Sequence, residues 1–131
     1  MTGSQAFAAR TTTFFHGDRL GSVLAATNEA GAVLWRKDYA PFGGQIDTTP
    51  DNERTSYTGK QHDDLTGLTY FGGRNFDPEL GRFVSVDPVA FMENNTMNFN
   101  RCLYVHNNPY RYVDPDGAWR PNCARATTRW G

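Results

Sequence analysis

Three Asp-Pro pairs, Asp77-Pro78, Asp87-Pro88 and Asp114-Pro115, constrain this chain more than any other feature. Proline has no backbone N–H and a fixed φ, so a helix cannot run through such a pair. It also biases the residue before it towards extended geometry. The aspartate carboxylate accepts a local backbone hydrogen bond and proline presets the next turn position, so each pair reads as a tight turn that ends a strand. The runs between the pairs are short, aromatic and β-branched, a composition suited to pleated, half-buried surfaces. Repeated strand and turn is the local expectation.

Upstream the same alternation holds. A strand is expected over Thr11–His16, with a turn at Gly17-Asp18-Arg19. A hairpin follows, with arms Ser22–Thr27 and Ala32–Tyr39 around Asn28-Glu29-Ala30-Gly31, whose glycine supplies positive φ. Ala40–Gly44 breaks the second arm, a short strand is expected at Gln45–Asp47, and Thr48–Glu53 reads as loop. A second hairpin is expected to rise through Arg54–Thr58, turn through His62–Gly67 and return as Leu68–Phe76. Within it, Gly72-Gly73 marks a bulge or a close backbone approach. The one helical candidate is Asn100–Val105. The fold expected is mainly β, built of hairpins and short strands with a turn-rich C-terminal cap. Residues 1–13 form a flexible lead, 14–117 the domain, and 118–131 a short basic tail.

Composition removes several function classes. A length of 131 residues allows one modest core. The formal charge of −1 makes no case for a nucleic acid or other polyanion as partner. No apolar run approaches the roughly 20 residues of a membrane-spanning helix, and Met1–Arg10 lacks the charged and apolar regions of a secretory signal. His16, His62 and His106 are scattered without a second ligand at metal spacing, so no metal or other cofactor is expected. Cys102 and Cys123 fit no metal or redox spacing, and free thiols are favoured over a disulfide. Cys102, in an aromatic stretch, is expected to be a buried small apolar residue.

Taken in order, several pieces resemble the core-associated domain of the rearrangement-hotspot (Rhs) and YD-repeat proteins. They are Asp18–Ser22, Tyr39–Gly43, Tyr57-Thr58-Gly59-Lys60, Thr66-Gly67-Leu68, and Arg74 through Pro88. Tyr104-Val105, Asn107-Asn108-Pro109 and the final Asp114-Pro115-Asp116-Gly117 complete the set. The resemblance implies a module that closes one end of a hollow β-shell wound from YD repeats, as in insecticidal toxin complexes and polymorphic toxins used between bacteria. It also implies a single cut of the chain after the last motif, by two aspartates assisted by an arginine. Those roles fall on Asp87, Asp114 and Arg74, with Ala118-Trp119 as the scissile bond. Two departures accompany it: Ala90 and Phe91 stand where the family carries Gly and Leu, and Ala118 stands where it carries Leu.

Two neighbouring carboxylates cannot both ionise cheaply, so one proton is shared, and the ionised acid can draw a proton from water while the other donates. An arginine beside them would hold one carboxylate charged and oriented. Read without the resemblance, the same residues are two turn aspartates and a strand arginine. The favoured function is a shell-closing core module of an Rhs-type toxin, present as a truncated or orphan fragment. The alternatives are an aspartate-dependent self-cleaving peptidase and a β-rich binding module. The expected partner is a longer Rhs or YD-repeat chain, or a second copy joined through hairpin edges, with a glycan as a further candidate. Localisation is left open. The family is exported by dedicated machinery, whereas a fragment of this kind is expected to stay in the cytoplasm.

Overall fold

A computed structural model describes residues 10–48, 53–90 and 99–118. The chain forms two four-stranded antiparallel sheets in which every strand pairs with its neighbours in sequence. The first contains β1 (Phe14–Gly17), β2 (Val23–Thr27), β3 (Val33–Tyr39) and β4 (Gln45–Thr48). The second contains β5 (Gln61–Asp63), β6 (Leu68–Tyr70), β7 (Asn75–Asp77) and β8 (Arg82–Phe83). The mainly β expectation holds. Among the described residues no helix is long and apolar enough to cross a membrane.

Polar side chains make the turns. Asn28 Oδ1 accepts from the N–H groups of Ala30 at 3.0 Å and Ala32 at 2.9 Å, and this locks the β2–β3 register. Asp18 does the same for Leu20 and Ser22, both at 2.8 Å, and Asp77 for Glu79 and Leu80 at 2.9 and 3.0 Å. These carboxylates satisfy amides that would otherwise lack partners where the ladder stops.

Three expected elements differ. Arg54–Thr58 is not a hairpin arm. It makes one bridge, Thr55 to Gln61, and then enters a single 3-10 turn at Tyr57–Gly59, with Thr58 at φ 51°. The arm is β5. The reason is tertiary: Thr58 N–H donates to Ser22 Oγ at 3.1 Å, and Tyr57 turns into the core. Leu68–Phe76 breaks into β6 and β7 at the bend Phe71–Arg74. The Asn100–Val105 candidate is not helical. Its carbonyls instead take long-range bonds, from Phe83 N–H to Cys102 O and from Asp87 N–H to Arg101 O, both 2.9 Å. A left-handed turn follows at Val105–Asn107, with φ of 41°, 54° and 56°. Cys102 is half-buried rather than buried. Most of the lead, the centre of the 48–53 loop, residues 91–98, and the tail with Trp119 and Cys123 lie outside the described residues.

One core organises the molecule. Tyr57, Phe71, Phe76, Phe83, Tyr104 and Val105 are buried together, with Tyr39, Phe42 and Tyr112 packed against them. Phe71, Phe76, Phe83 and Tyr104 meet with centroids 4.6 to 5.8 Å apart, mostly edge to face. That geometry sets the positive edge of one ring against the negative face of another and adds about 0.5–1.5 kcal/mol per pair to the burial itself. Burial pushes the Tyr57 phenol up to about 12 and raises that of Tyr104, so both are neutral. The inner face of the second sheet supplies Phe76 and Phe83, and the segment after residue 99 folds back over them with Tyr104 and Val105. This return brings the last Asp-Pro turn beside the β6–β7 bend.

Candidate functional site

The bend before β7 is glycine-rich because backbone must meet backbone there. Gly73 N–H donates to Asp116 O at 2.8 Å, and a Cβ on Gly72 or Gly73 would lie 3.2 or 3.1 Å from that carbonyl. Gly117, at φ 72°, faces the same bend, and a Cβ on it would meet Arg74 N at 3.0 Å. Side chains at these positions would prise the two segments apart. With none in the way, Arg74 enters the core directly opposite the exit turn.

Arg74 is only 3% exposed. Its guanidinium lies over the Phe83 ring, with Cζ 3.6 Å from the centroid. A cation stacked on an aromatic face in a dry setting is attracted by the ring quadrupole and also fixed in orientation. From this position it donates in three directions. Nε reaches Gly117 O at 2.5 Å, Nη1 reaches Arg101 O at 2.9 Å, and Nη2 faces two carboxylates. Nη2 lies 2.8 Å from Asp87 Oδ2 and 3.3 Å from Asp114 Oδ2. One nitrogen therefore joins the two acids, and their facing oxygens lie no further apart than the sum of those distances. Asp87 and Asp114 are 6% and 1% exposed.

Each acid spends its other oxygen on its own turn. Asp87 Oδ1 accepts from Val89 N–H at 2.8 Å, and Asp114 Oδ1 from Gly117 N–H at 2.9 Å. The turn role and the clustering are thus carried by different oxygens of the same carboxylates. Burial is the largest influence on Asp114 and pushes its carboxyl above the usual carboxylate range. The Arg74 charge and the N–H groups of Gly117 and Asp116 pull it partly back, and the Asp116 charge adds to the rise. Physically, one guanidinium cannot neutralise two buried carboxylates at once, so the more deeply buried acid is the one that favours its proton.

The three residues singled out in the sequence therefore meet at one point. Ala118 follows directly, half-buried, with its N–H on Asp116 Oδ1 at 3.2 Å. Trp119, on the far side of the expected scissile bond, lies outside the described residues. The sequence reading missed three participants: the Phe83 platform, the Gly117 carbonyl held by Arg74, and Arg101. Lys60 was also unassigned; its Nζ donates to Pro115 O across the exit turn and sits 5.5 Å from the Phe71 centroid. Among the described residues no group of His, Cys, Asp and Glu could hold a metal ion.

The teneurin YD-shell family model matches residues 7–115. A tRNA3(Ser)-specific nuclease WapA of Bacillus spizizenii is 34% identical over 110 residues, which is 81% of this chain and 5% of that protein. A double-stranded DNA deaminase toxin A of Burkholderia cenocepacia is 33% identical over 111 residues, 79% of this chain and 7% of that protein. Among solved structures, a crystal structure of TcdB2-TccC3-Cdc42 superposes with a TM-score of 0.74 at 27% identity, over 89% of this chain and 6% of that one. The chain thus spans a small fraction of each of these three proteins.

Proposed function

Because the chain belongs to the teneurin YD-shell family, we propose that it is the end-closing core module of an Rhs-type β-shell. The observation that carries this reading is the unevenness of its burial. The second sheet has a full aromatic core, whereas β1–β4, among their described side chains, bury only Ala26 and Lys37 and leave Phe14, Phe15, Val33, Leu34 and Ile46 exposed. A sheet with apolar side chains open on it, and with unpaired strands at its margin, is built to continue into more sheet. The partner proposed is YD-repeat chain, paired along that margin. Mixing the protein with a YD-repeat fragment should raise its melting temperature and bury β1 amides against hydrogen exchange. No change in either would overturn the reading.

A second reading is favoured by the Arg74–Asp87–Asp114 cluster: a single self-cleavage after Ala118. Asp87, paired with Arg74, draws a proton from water, and the water oxygen bonds to the Ala118 carbonyl carbon. Asp114, whose burial favours its protonated form, supplies a proton as the bond to Trp119 N breaks. The leaving amine and the new carboxyl then share out the protons. Arg74 holds the Gly117 carbonyl and so sets where the next peptide lies. Intact mass decides it. A species ending at Ala118 that disappears in Asp87→Asn and Asp114→Asn supports the reading, and a mass that never shortens, alone or with a YD-repeat fragment, removes it.

A further inference from the structure

The Asp87-Pro88 turn carries Ala90 where its resemblance to the family leads one to expect glycine, yet Asp87 is aimed at Arg74 as the cluster needs. The contacts that hold it converge on one residue. Arg101 Nη2 donates to Asp87 O, and the same nitrogen reaches Val89 O at 3.5 Å, so the side chain straps the turn from Asp87 to Val89. The Arg101 backbone carbonyl takes the Asp87 N–H at 2.9 Å and the Arg74 Nη1 donor at 2.9 Å. Asp87 and Arg74 are thus both referred to a single residue on the opposing segment, one by its main chain and side chain, the other by its main chain.

We propose that Arg101 is a positioning residue for the acid pair, holding the Asp87 turn in register with the Arg74 guanidinium. It touches no bond that would break. Its side chain is exposed, so it contributes little to the core and can be replaced without unfolding the protein. The planar guanidinium can face two carbonyls at once, as this turn presents them, whereas an ammonium on a flexible stem satisfies one.

As far as cleavage is concerned, the inference rests on the self-cutting reading, so its test has a readout that does not. In the full chain, Val89 N–H is bonded to Asp87 Oδ1 and its hydrogen exchange reports whether that carboxylate is held. Arg101→Ala should speed exchange at Val89 while leaving Phe83 N–H and the melting temperature unchanged. It should slow appearance of the species ending at Ala118 by at least about tenfold, since small misplacements of reacting groups cost that much or more. Arg101→Lys should recover part of both. Unchanged Val89 exchange in Arg101→Ala, or cleavage at the wild-type rate, would overturn the proposal. If the wild-type protein never cleaves, the self-cutting reading falls alone, and the exchange at Val89 still decides the role of Arg101.

Discussion

The two sheets have the same strand number, order and pairing, yet they are stabilised by different means. In β5–β8 the inner face delivers Phe76 and Phe83 into a ring cluster closed by Phe71 and Tyr104. In β1–β4 no large apolar side chain is buried, and the sheet is fastened to the rest by polar stitches. Val23 N–H donates to Ser56 O at 3.3 Å, Thr58 N–H to Ser22 Oγ, and Lys37 Nζ to Glu53 O at 2.8 Å. Tyr39 adds an aromatic contact with Tyr57, at 6.0 Å between centroids. The hydrophobic term scales with apolar area removed from water, so β5–β8 holds itself together while β1–β4 depends on what it adjoins. Identical topology, then, does not mean equal self-sufficiency.

Substitutions can break this contrast. The largest effect is expected at Phe76→Ala, where a fully buried ring leaves a cavity that costs about 3–5 kcal/mol in denaturant unfolding. A loss near zero would mean the second sheet is not the anchor. Arg74→Met should cost about 3 kcal/mol, because Asp87 and Asp114 are then buried without their cation. At the joint between the sheets, Gly43 sits at φ 86°, and a Cβ there would come 2.4 Å from the Tyr57 ring. Gly43→Ala should cost about 2–3 kcal/mol, and hydrogen exchange should place the loss in β3 and β4 ahead of β7.

The acid pair gives a pH test confined to the second region. The folded carboxyl of Asp114 is raised above its unfolded value, so its contribution is fully present below the unfolded pKa, near 3.8, and is lost as pH rises through the folded value. Melting followed over that window should show the decline, and Asp114→Asn should flatten it. A decline of equal slope in the variant would assign it elsewhere. The smallest effect is expected at Leu34→Ser, within about 0.5 kcal/mol, because the side chain is already exposed. A larger loss that grows with protein concentration would reveal that copies cover this sheet for one another.

The same contrast runs through what the sequence made legible. The β2–β3 hairpin was readable because Asn28 and Gly31 carry their turn chemistry locally. The β5 arm was not, because Thr58 takes a left-handed φ that no glycine or asparagine announces and that is supported by its own N–H donating to Ser22 Oγ, far along the chain. The turn at Val105 was hidden for a similar reason: a buried β-branched residue at φ 41° is held by its packing against the aromatic rings. Gly72-Gly73 was legible as a close approach, although not the identity of what approaches. At the site, the aspartates announced themselves as turn residues, and only the family resemblance linked them to Arg74. Residue types and spacing say nothing of a meeting between positions 74, 87 and 114. Arg101 gave no signal at all, since half of its role is played by its own main chain.

The exit turn has one more consequence. Among the described residues, Arg74, Gly73 and Lys60, all upstream, bond to residues 114 to 117, and Ala118 N–H bonds to Asp116 Oδ1. Each of these bonds lies on the near side of the Ala118-Trp119 peptide, so severing the chain past Ala118 should leave all of them in place and the melting point unchanged.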